Sequence, residues 1–151
     1  MLHSACYKSP IGLIEISADD DAVRGARFVD GLLPCGKPNS LLTDALEQMD
    51  SYFKGKIRAF NLPLEPEGTD FQQQVWLALR HIPFGHKRTY GEVADAAGNA
   101  KAARAVGQAC NKNPLPIFIP CHRVLGVSNP LDYACGHERK AWLLKHEGIS
   151  F

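Results

Sequence analysis

The fold of the second half of this 151-residue chain is decided by residues 89–110, Thr-Tyr-Gly-Glu-Val-Ala-Asp-Ala-Ala-Gly-Asn-Ala-Lys-Ala-Ala-Arg-Ala-Val-Gly-Gln-Ala-Cys. Thr89 and Glu92 have the spacing of a capping box, in which each residue satisfies a backbone N–H group near the other. This spacing predicts a helix over residues 90–97. Gly98 can end that helix, because glycine adopts the left-handed conformation without steric cost.

A second helix is predicted directly afterwards, capped by Asn99 and running from Ala100 to about Cys110. Two short helices joined by a tight Gly-Asn turn are the outline of a helix-turn-helix. Many alanines together with Gly107 make the second helix slim, and Arg104 is the long cationic side chain at its middle. A slim helix fits a groove as narrow as the minor groove of DNA without reading base sequence. The alternative is that the small residues only allow close helix packing.

A stretch rich in helix and strand breakers, Leu-Pro-Leu-Glu-Pro-Glu-Gly at residues 62–68, predicts a boundary between two lobes, 1–65 and 66–151. The first lobe carries seven basic and nine acidic residues, and the second lobe carries ten basic and seven acidic residues. The second lobe is therefore the more basic one, which is a modest indication of phosphate binding. At its start, Thr69 or Asp70 can cap a helix that extends through Arg80, with Trp76 in the core.

The first lobe has the pattern of strands followed by a helix. Residues 13–18 alternate between apolar and polar, and a second strand is expected around residues 22–29, which together predict an antiparallel hairpin. After a Pro- and Gly-rich loop at 31–38, Asn39 or Ser40 can cap a helix that ends near Gly55. We therefore expect an α+β protein, in which a small antiparallel sheet with a helix precedes a mainly helical second lobe.

Composition limits the class of protein. Hydrophobic residues make up 45% and charged residues 22% of the chain, as in ordinary globular proteins. No run approaches the roughly 18 uncharged apolar residues of a membrane helix, and the N-terminus lacks the features of a signal peptide. We expect no membrane partner and a cytoplasmic location, nucleoid-associated in a prokaryote. The five cysteines show no Cys-x-x-Cys spacing, so neither a disulfide framework nor a metal site is predicted.

A thiol and an imidazole stand side by side in Ile119-Pro120-Cys121-His122-Arg123-Val124. Pro120 should end the apolar, strand-like segment 117–119 and present Cys121 at its end. Thiolates attack carbon, and a neighbouring basic or cationic group such as His122 or Arg123 is the usual means of forming them. The alternative for Cys121 is a small buried hydrophobic residue, and the Cys-His pair alone favours that alternative.

Five motifs of the second lobe, taken in order and spacing, resemble those of the O6-alkylguanine-DNA alkyltransferase family. They are Tyr90 with Ala103-Arg104-Ala105-Val106-Gly107, then Asn113-Pro114, Ile119-Pro120-Cys121-His122-Arg123-Val124, Tyr133-Ala134-Cys135-Gly136 and Trp142-Leu143-Leu144-Lys145-His146-Glu147-Gly148. The first lobe is similar in length and layout to the family's ribonuclease-H-like domain. The resemblance implies direct-reversal DNA repair. An alkyl group on guanine O6, or less readily on thymine O4, moves irreversibly to a cysteine, and one protein repairs one lesion.

The resemblance also implies the roles of the reacting residues. Cys121 would accept the alkyl group, His122 would act as its base through a water molecule, and Glu147 would hold the far nitrogen of His122. Asn113 would tie the recognition helix to the cysteine loop. Tyr133 would donate a hydrogen bond to N3 of the flipped guanine and so improve the leaving group.

The remaining roles concern the substrate and the duplex. The Val124 carbonyl would accept from the guanine exocyclic amine, and Cys135 would line the alkyl pocket. Tyr90 would crowd the phosphate 3′ to the lesion, and Arg104 would enter the base stack. Further DNA contacts are expected from Lys101, Ala103, Gly107 and Arg123. The expected partner is double-stranded DNA bearing O6-alkylguanine, bound by a monomer without a cofactor.

The pocket loop departs from the family pattern at two positions. Asp132 precedes Tyr133 where the family commonly has Gly or Asn, and Cys135 replaces the first glycine of Tyr-x-Gly-Gly. If that position requires a positive φ, cysteine costs on the order of 1 kcal/mol or more. Cys135 should also narrow the pocket against bulky alkyl groups. The main alternative function is a non-catalytic module that binds alkyl lesions, and a cysteine hydrolase is disfavoured by the adjacent Cys and His.

Overall fold

The computed structural model describes residues 1–31 and 37–151, which form two compact units, Met1–Glu67 and Gly68–Phe151. Most of the loop predicted at 31–38, with Cys35, lies outside the described residues. The first unit contains an antiparallel sheet and one long helix, and the second is mainly helical, so the α+β prediction is confirmed. The elements are β1 (His3–Ser9), β2 (Gly12–Ala18), β3 (Val23–Val29), α1 (Ser40–Phe53), α2 (Asp70–Arg80), β4 (Arg88–Thr89), α3 (Tyr90–Ala96), α4 (Ala103–Asn111), β5 (Val124–Leu125) and α5 (His137–His146).

The sheet of the first unit has three strands in the order β1-β2-β3, all antiparallel. Ile14 and Ile16 of β2 are buried, as their alternation predicts. The sequence led us to expect a hairpin of β2 and β3 only, and that expectation was incomplete. Strand β1 reads His-Ser-Ala-Cys-Tyr-Lys-Ser and buries only Ala5 fully, so it carries little apolar alternation. The pairing of β1 with β2 is therefore set by tertiary contacts and not by the local sequence pattern of β1.

Helix α1 packs against this sheet through one apolar face. Asn39 caps the helix, because its side-chain oxygen accepts a hydrogen bond from the Leu42 amide at 2.9 Å. The buried residues of the helix follow helical spacing; they are Leu42, Ala45, Met49, Tyr52 and Phe53. The Tyr7 hydroxyl of β1 donates to the Asp50 carboxylate at 2.9 Å, which joins the first strand to the helix.

The second unit begins with two capped helices. Thr69 and Gln72 form a capping box on α2, and Thr89 and Glu92 form one on α3. Trp76 of α2 is buried, and its indole N–H donates to the Ala109 carbonyl of α4 at 2.9 Å. The predicted core position of this tryptophan is confirmed.

Helix α4 begins at Ala103, three residues later than predicted, and Asn99 does not cap it. The Asn99 amide donates to the Ala94 carbonyl at 2.9 Å, and Gly98 adopts φ +90°, so both residues complete the end of α3. The Asn99 side chain accepts from the Lys101 amide at 3.3 Å in a local turn. Because Asn99 serves the preceding helix, α4 starts only after this turn.

The segment 117–119 is a tight turn and not the strand-like run that its apolar residues suggested. Ile117 has φ 74°, and the Ile119 amide donates to the Leu115 carbonyl at 2.8 Å. A left-handed conformation is unfavourable for a β-branched residue, but here the Ile117 side chain is buried and holds the turn in place. The turn leads into a short 3₁₀ helix at Cys121–Arg123.

Three residues after Cys121 the chain pairs with β4, the short strand that directly precedes α3. Arg88 and Thr89 of β4 pair in parallel with Val124 and Leu125 of β5. This short pairing fixes the position of Tyr90, the first residue of α3, relative to the cysteine turn. Helix α5 contributes Leu144 to a small apolar cluster with Leu125 and Ile149.

Candidate active site

Cys121 is the first residue of the 3₁₀ helix and is buried, with 4% of its surface exposed. The Asn113 side chain holds it in place, because its amide nitrogen donates to the Cys121 sulfur at 3.2 Å and to the Ile119 carbonyl at 2.9 Å. The Asn113 oxygen in turn accepts from the Leu115 amide at 2.9 Å. Asn113 therefore links the end of α4 to the cysteine turn through three hydrogen bonds.

Burial raises the pKa of the Cys121 thiol to about 11, although the Asn113 hydrogen bond acts in the opposite direction. At neutral pH the sulfur is therefore protonated at rest. A nucleophilic role requires a base that removes the proton when the substrate is in place.

His122, Arg123 and Glu147 form a buried network next to this thiol. The His122 Nε2 atom lies 2.7 Å from one carboxylate oxygen of Glu147. Arg123 donates to the same carboxylate through Nε at 2.7 Å and through a terminal nitrogen at 3.1 Å. Glu147 directly follows α5 as its C-cap and is followed by Gly148 with φ 75°. The network therefore joins the end of α5 to the cysteine turn.

The charges of this network determine which of its atoms carry a proton. Burial alone would raise the pKa of Glu147, but the hydrogen bonds and charges of His122 and Arg123 outweigh it and lower that pKa well below its usual value. Burial lowers the pKa of His122, so its ring is neutral at pH 7. An ionised Glu147 can only accept, so His122 Nε2 carries the proton and Nδ1 is the basic nitrogen. Nδ1 is buried and has no hydrogen-bond partner within residues 1–31 and 37–151.

The geometry disagrees with the predicted contact of Arg123 with DNA. The Arg123 side chain is buried, and it also donates to the Ile82 carbonyl at 2.6 Å. Its guanidinium lies 5.9 Å from the centre of the Phe84 ring. Arg123 therefore orients Glu147 from the interior. The sequence suggested a surface cation because nothing in it reveals that the partner carboxylate is buried 24 residues away.

Tyr133 and Cys135 lie on the loop before α5, and both interact with the Cys121 thiol. Burial, followed by the charges of Cys121 and Cys135, raises the pKa of Tyr133 well above its usual value. Its hydroxyl therefore keeps its proton and can donate. Gly136 adopts φ 107°, whereas among the described residues Ile117 is the only non-glycine with a positive φ. The backbone strain considered for Cys135 is therefore absent.

The Val124 carbonyl accepts a hydrogen bond from Lys140 Nζ at 2.6 Å. The same ammonium donates to the Asp132 carbonyl at 2.9 Å, and Lys140 is completely buried. Sequence reasoning missed this lysine. The signal was its spacing, because Lys140, Leu143, Leu144 and Glu147 share one helical face, and all four are buried. A carbonyl oxygen has two lone pairs, so Val124 can still accept from a ligand.

An open groove of about 420 Å³ lies along helix α4. Tyr90 forms part of its wall, and its pKa is raised to about 12 by burial and then by the charges of Cys110, Asp132 and Cys121. Helix α4 forms the other wall, and Asp132 of the loop before α5 completes the lining. The lining residues of α4 are Ala103, Arg104, Gly107, Gln108 and Asn111. Arg104 is exposed, and within the described part of the chain its guanidinium has no ion pair. Lys101 is exposed in the turn before α4.

Among residues 1–31 and 37–151, no group of three or more His, Cys, Asp or Glu side chains could hold a metal ion. Within those same ranges no helix is long and apolar enough to cross a membrane.

Family models match both units of the chain. Residues 2–66 match the ribonuclease-like domain of 6-O-methylguanine DNA methyltransferase, and residues 70–149 match the DNA-binding domain of the same family. The chain belongs to the 6-O-methylguanine DNA methyltransferase family. The resemblance drawn from the five sequence motifs is thereby confirmed.

Individual members of this family resemble the chain over nearly its whole length. It is 43% identical to a methylated-DNA–protein-cysteine methyltransferase of Methanosarcina acetivorans, over 97% of the chain and 99% of the relative. The crystal structure of the Mycobacterium tuberculosis O6-methylguanine methyltransferase superposes with a TM-score of 0.87 at 38% identity, covering 97% of this chain and 93% of that one. The crystal structure of the M. tuberculosis OGT in complex with DNA superposes with a TM-score of 0.85 at 37% identity, and the match covers 96% of this chain and 92% of that one.

Replacing Glu147 by Gln is expected to destabilise the second unit by about 3–5 kcal/mol, because Arg123 is left buried without a counter-charge. Urea unfolding followed by tryptophan fluorescence measures this unit, since both tryptophans, Trp76 and Trp142, lie in it. Glu138→Gln on the exposed first turn of α5 is the matched control and should cost less than about 1 kcal/mol. Equal costs for the two variants would contradict the proposed importance of the buried network.

The same variant should change how stability depends on pH. The folded pKa of Glu147 lies below its usual 4.5, so this group contributes stability above that pH and loses it as the pH falls towards the folded value. His122, neutral when folded, adds a loss of stability below its usual 6.5. Glu147→Gln should therefore give a flatter decline of the urea midpoint below pH 4.5. A decline as steep as in the wild type would show that Glu147 is not the titrating group.

Proposed function

We propose that this chain repairs double-stranded DNA by transferring the alkyl group of O6-alkylguanine to Cys121, once per protein molecule. The observation that carries the proposal is a buried Cys121 thiol followed directly in the chain by His122, whose ring is held by the Glu147 carboxylate. Curated relatives with this fold are named methylated-DNA–protein-cysteine methyltransferases, which is consistent with the same activity. We propose O4-alkylthymine as a poorer substrate and the cytoplasm as the site of action.

The chemistry is a displacement at the alkyl carbon. His122 Nδ1 takes the Cys121 proton, directly or through a water molecule, and the ionised Glu147 stabilises the imidazolium. The sulfur then attacks the alkyl carbon, the S–C bond forms, and the C–O6 bond breaks. The electron pair leaves on the guanine, whose developing charge is offset by a hydrogen bond from the Tyr133 hydroxyl to N3. The thioether offers water no activated carbonyl, so the thiol is not regenerated.

Substrate access requires that the damaged nucleotide leave the duplex. Cys121 is buried and cannot approach an atom inside a base stack, so the base must rotate into the protein. Arg104 is suited to fill the space left behind, because it is exposed in the groove and its planar guanidinium can stack and donate. Tyr90, half-buried in the same groove, is placed to crowd the backbone phosphate. The Val124 carbonyl would accept from the exocyclic amine of the guanine.

The surface of α4 supports binding along the minor groove. Ala103 and Gly107 line the protein groove beside Tyr90 with little side-chain bulk. Lys101 adds a positive charge near the start of the helix for a phosphate. We assign DNA binding and alkyl transfer to residues 66–151 and a scaffold role to residues 1–65. No observation favours the non-catalytic lesion-binding alternative over transfer to Cys121.

The decisive experiment uses a limiting duplex that contains one O6-methylguanine. Incubation should add one methylene to the Cys121 peptide in a stoichiometric amount, as read by intact and peptide mass spectrometry. Cys121→Ser should bind the duplex but gain no mass. Cys6→Ser, in the first unit, is the control and should transfer normally. Binding by the wild type without a mass change would reject transfer and would favour the lesion-binding alternative.

Arg104→Ala should slow repair of duplex DNA by about tenfold or more, because the space vacated by the flipped base is no longer filled. The same variant should react normally with free O6-benzylguanine, which is not stacked. Lys112→Ala, at the exposed end of α4, removes a charge outside the groove and is the control in single-turnover kinetics. Equal slowing on the duplex and on the free base would contradict a role in base flipping.

Cys135→Gly should speed the reaction with O6-benzylguanine relative to that with O6-methylguanine, because the side chain at this position narrows the alkyl pocket. The comparison is a ratio of second-order rates for each protein, which cancels any general change in Cys121 reactivity. Ala134→Gly, the exposed neighbour on the same loop, controls for added backbone freedom. An unchanged ratio would reject Cys135 as a determinant of alkyl size.

A further inference from the structure

The groove along α4 is lined by two charged side chains of opposite sign. Arg104 comes from the helix and Asp132 from the loop before α5, and both residues are exposed. The other lining residues are uncharged at neutral pH, so the two charges of the lining cancel. Surfaces that bind DNA are enriched in positive charge, because phosphate contacts supply most of the affinity for undamaged duplex. The carboxylate of Asp132 opposes this contribution.

The main chain at Asp132 is held from both sides. Its amide donates to the Asn129 carbonyl at 3.3 Å, and its own carbonyl accepts from Lys140 Nζ at 2.9 Å. Leu131, the preceding residue, packs against the small apolar cluster around Leu144. These contacts fix the backbone from which the Asp132 side chain enters the groove lining.

The start of the same loop is also fixed, next to Tyr90. A β-carbon added at Gly126 would lie 3.6 Å from the Tyr90 ring and 2.8 Å from the Asn129 carbonyl oxygen. A distance of 2.8 Å to a backbone atom is too short for a carbon contact, so a larger residue here would force the loop open. The loop therefore folds back tightly, and both of its ends lie at the groove that Tyr90 and Asp132 line.

The Asp132 carboxylate has no partner in the described part of the chain. Within residues 1–31 and 37–151 its side chain forms no hydrogen bond, and it forms no ion pair with Arg104 in the same groove. An exposed carboxylate without partners contributes little to folding. Its charge acts instead on whatever occupies the groove, and a DNA phosphate placed there would meet a charge of the same sign.

We propose that Asp132 limits the affinity of the α4 groove for the DNA backbone, because its carboxylate repels phosphates and offsets the attraction of Arg104. Less of the protein is then held on undamaged duplex, whereas a lesion is retained by the contacts of the flipped base inside the pocket. This inference rests on the proposed placement of DNA along α4. It goes beyond that placement by assigning to one carboxylate the control of non-specific binding.

The first test is the affinity for a fluorescein-labelled undamaged duplex, measured by fluorescence anisotropy. Asp132→Asn removes the charge at nearly constant size and should tighten binding by about threefold to tenfold at ~50 mM salt. The gain should shrink towards ~200 mM salt, because ions screen exposed charges. Asp132→Glu keeps the charge and should bind like the wild type. Glu47→Gln makes the same change in net charge on the exposed face of α1, outside the groove lining, and is the control.

Three outcomes of this test would overturn the proposal. Unchanged or weaker binding by Asp132→Asn would show that the carboxylate does not face phosphates. An equal gain in Glu47→Gln would assign the effect to the net charge of the whole protein. Tighter binding by Asp132→Glu would show that the effect does not depend on charge.

The second test locates the effect with a duplex that contains one O6-methylguanine, bound by proteins that also carry Cys121→Ser. Asp132→Asn should tighten this complex by the same factor as the undamaged one, because the phosphates of the two duplexes are the same. Tightening confined to the damaged duplex would place Asp132 in contact with the flipped base and overturn the proposal. The Cys121→Ser background removes alkyl transfer, so both affinities are equilibrium values.

Two further results are decisive. If Asp132→Asn does not fold, Asp132→Ser replaces it, and a failure of both to fold would show that the carboxylate supports the fold and would overturn the proposal. Should the wild type bind DNA without transferring a methyl group to Cys121, the proposed function fails, yet the binding comparison still reports on Asp132.

Discussion

The carboxylate of Glu147 is the interaction on which the second unit depends. It ends α5, accepts from His122 and Arg123 at 2.7 Å each, and thereby fixes the turn that carries Cys121 to a helix from a distant part of the chain. A buried carboxylate is unfavourable on its own, and the two cationic or donating partners make it tolerable. The same contacts set the tautomer of His122, so one ion-pair network fixes the architecture of the turn and leaves Nδ1 as the basic nitrogen of the ring.

Burial of the nucleophile creates a requirement that the surrounding residues meet together. Exclusion of water protects the thiol and strengthens nearby electrostatic interactions, but it also raises the pKa of Cys121 and disfavours the reactive anion. Asn113 donates to the sulfur, His122 offers a basic nitrogen, and the Tyr133 hydroxyl keeps its proton. Each of these side chains comes from a different segment, so the reactivity of Cys121 is a property of the folded unit.

Local features of this structure could be read from the sequence, whereas features that depend on distant contacts could not. The capping residues Thr89 and Asn39 act within three residues; Thr89 was predicted correctly, and Asn39 was one of the two candidates, with Ser40, for the cap of α1. The start of α4 was wrong because Asn99 completes the preceding helix. The buried charges were harder still. Arg123 was expected on the surface and Lys140 was overlooked, since a charged side chain reveals its burial only through partners that folding brings to it. The five motifs identified the family because their order reflects the whole site.

The close packing around Cys121 has a consequence for how much DNA a population of these molecules can protect. Asn113 lies 3.2 Å from the sulfur, and only 4% of the cysteine is exposed, so an added alkyl group must displace neighbours that are already in contact. Extra carbon atoms in a packed interior typically cost about 1–3 kcal/mol. Under the proposed transfer, the modified chain is therefore both spent and less stable by about this amount. Under the proposed function, repair capacity is a count of unmodified molecules and is restored only by new synthesis.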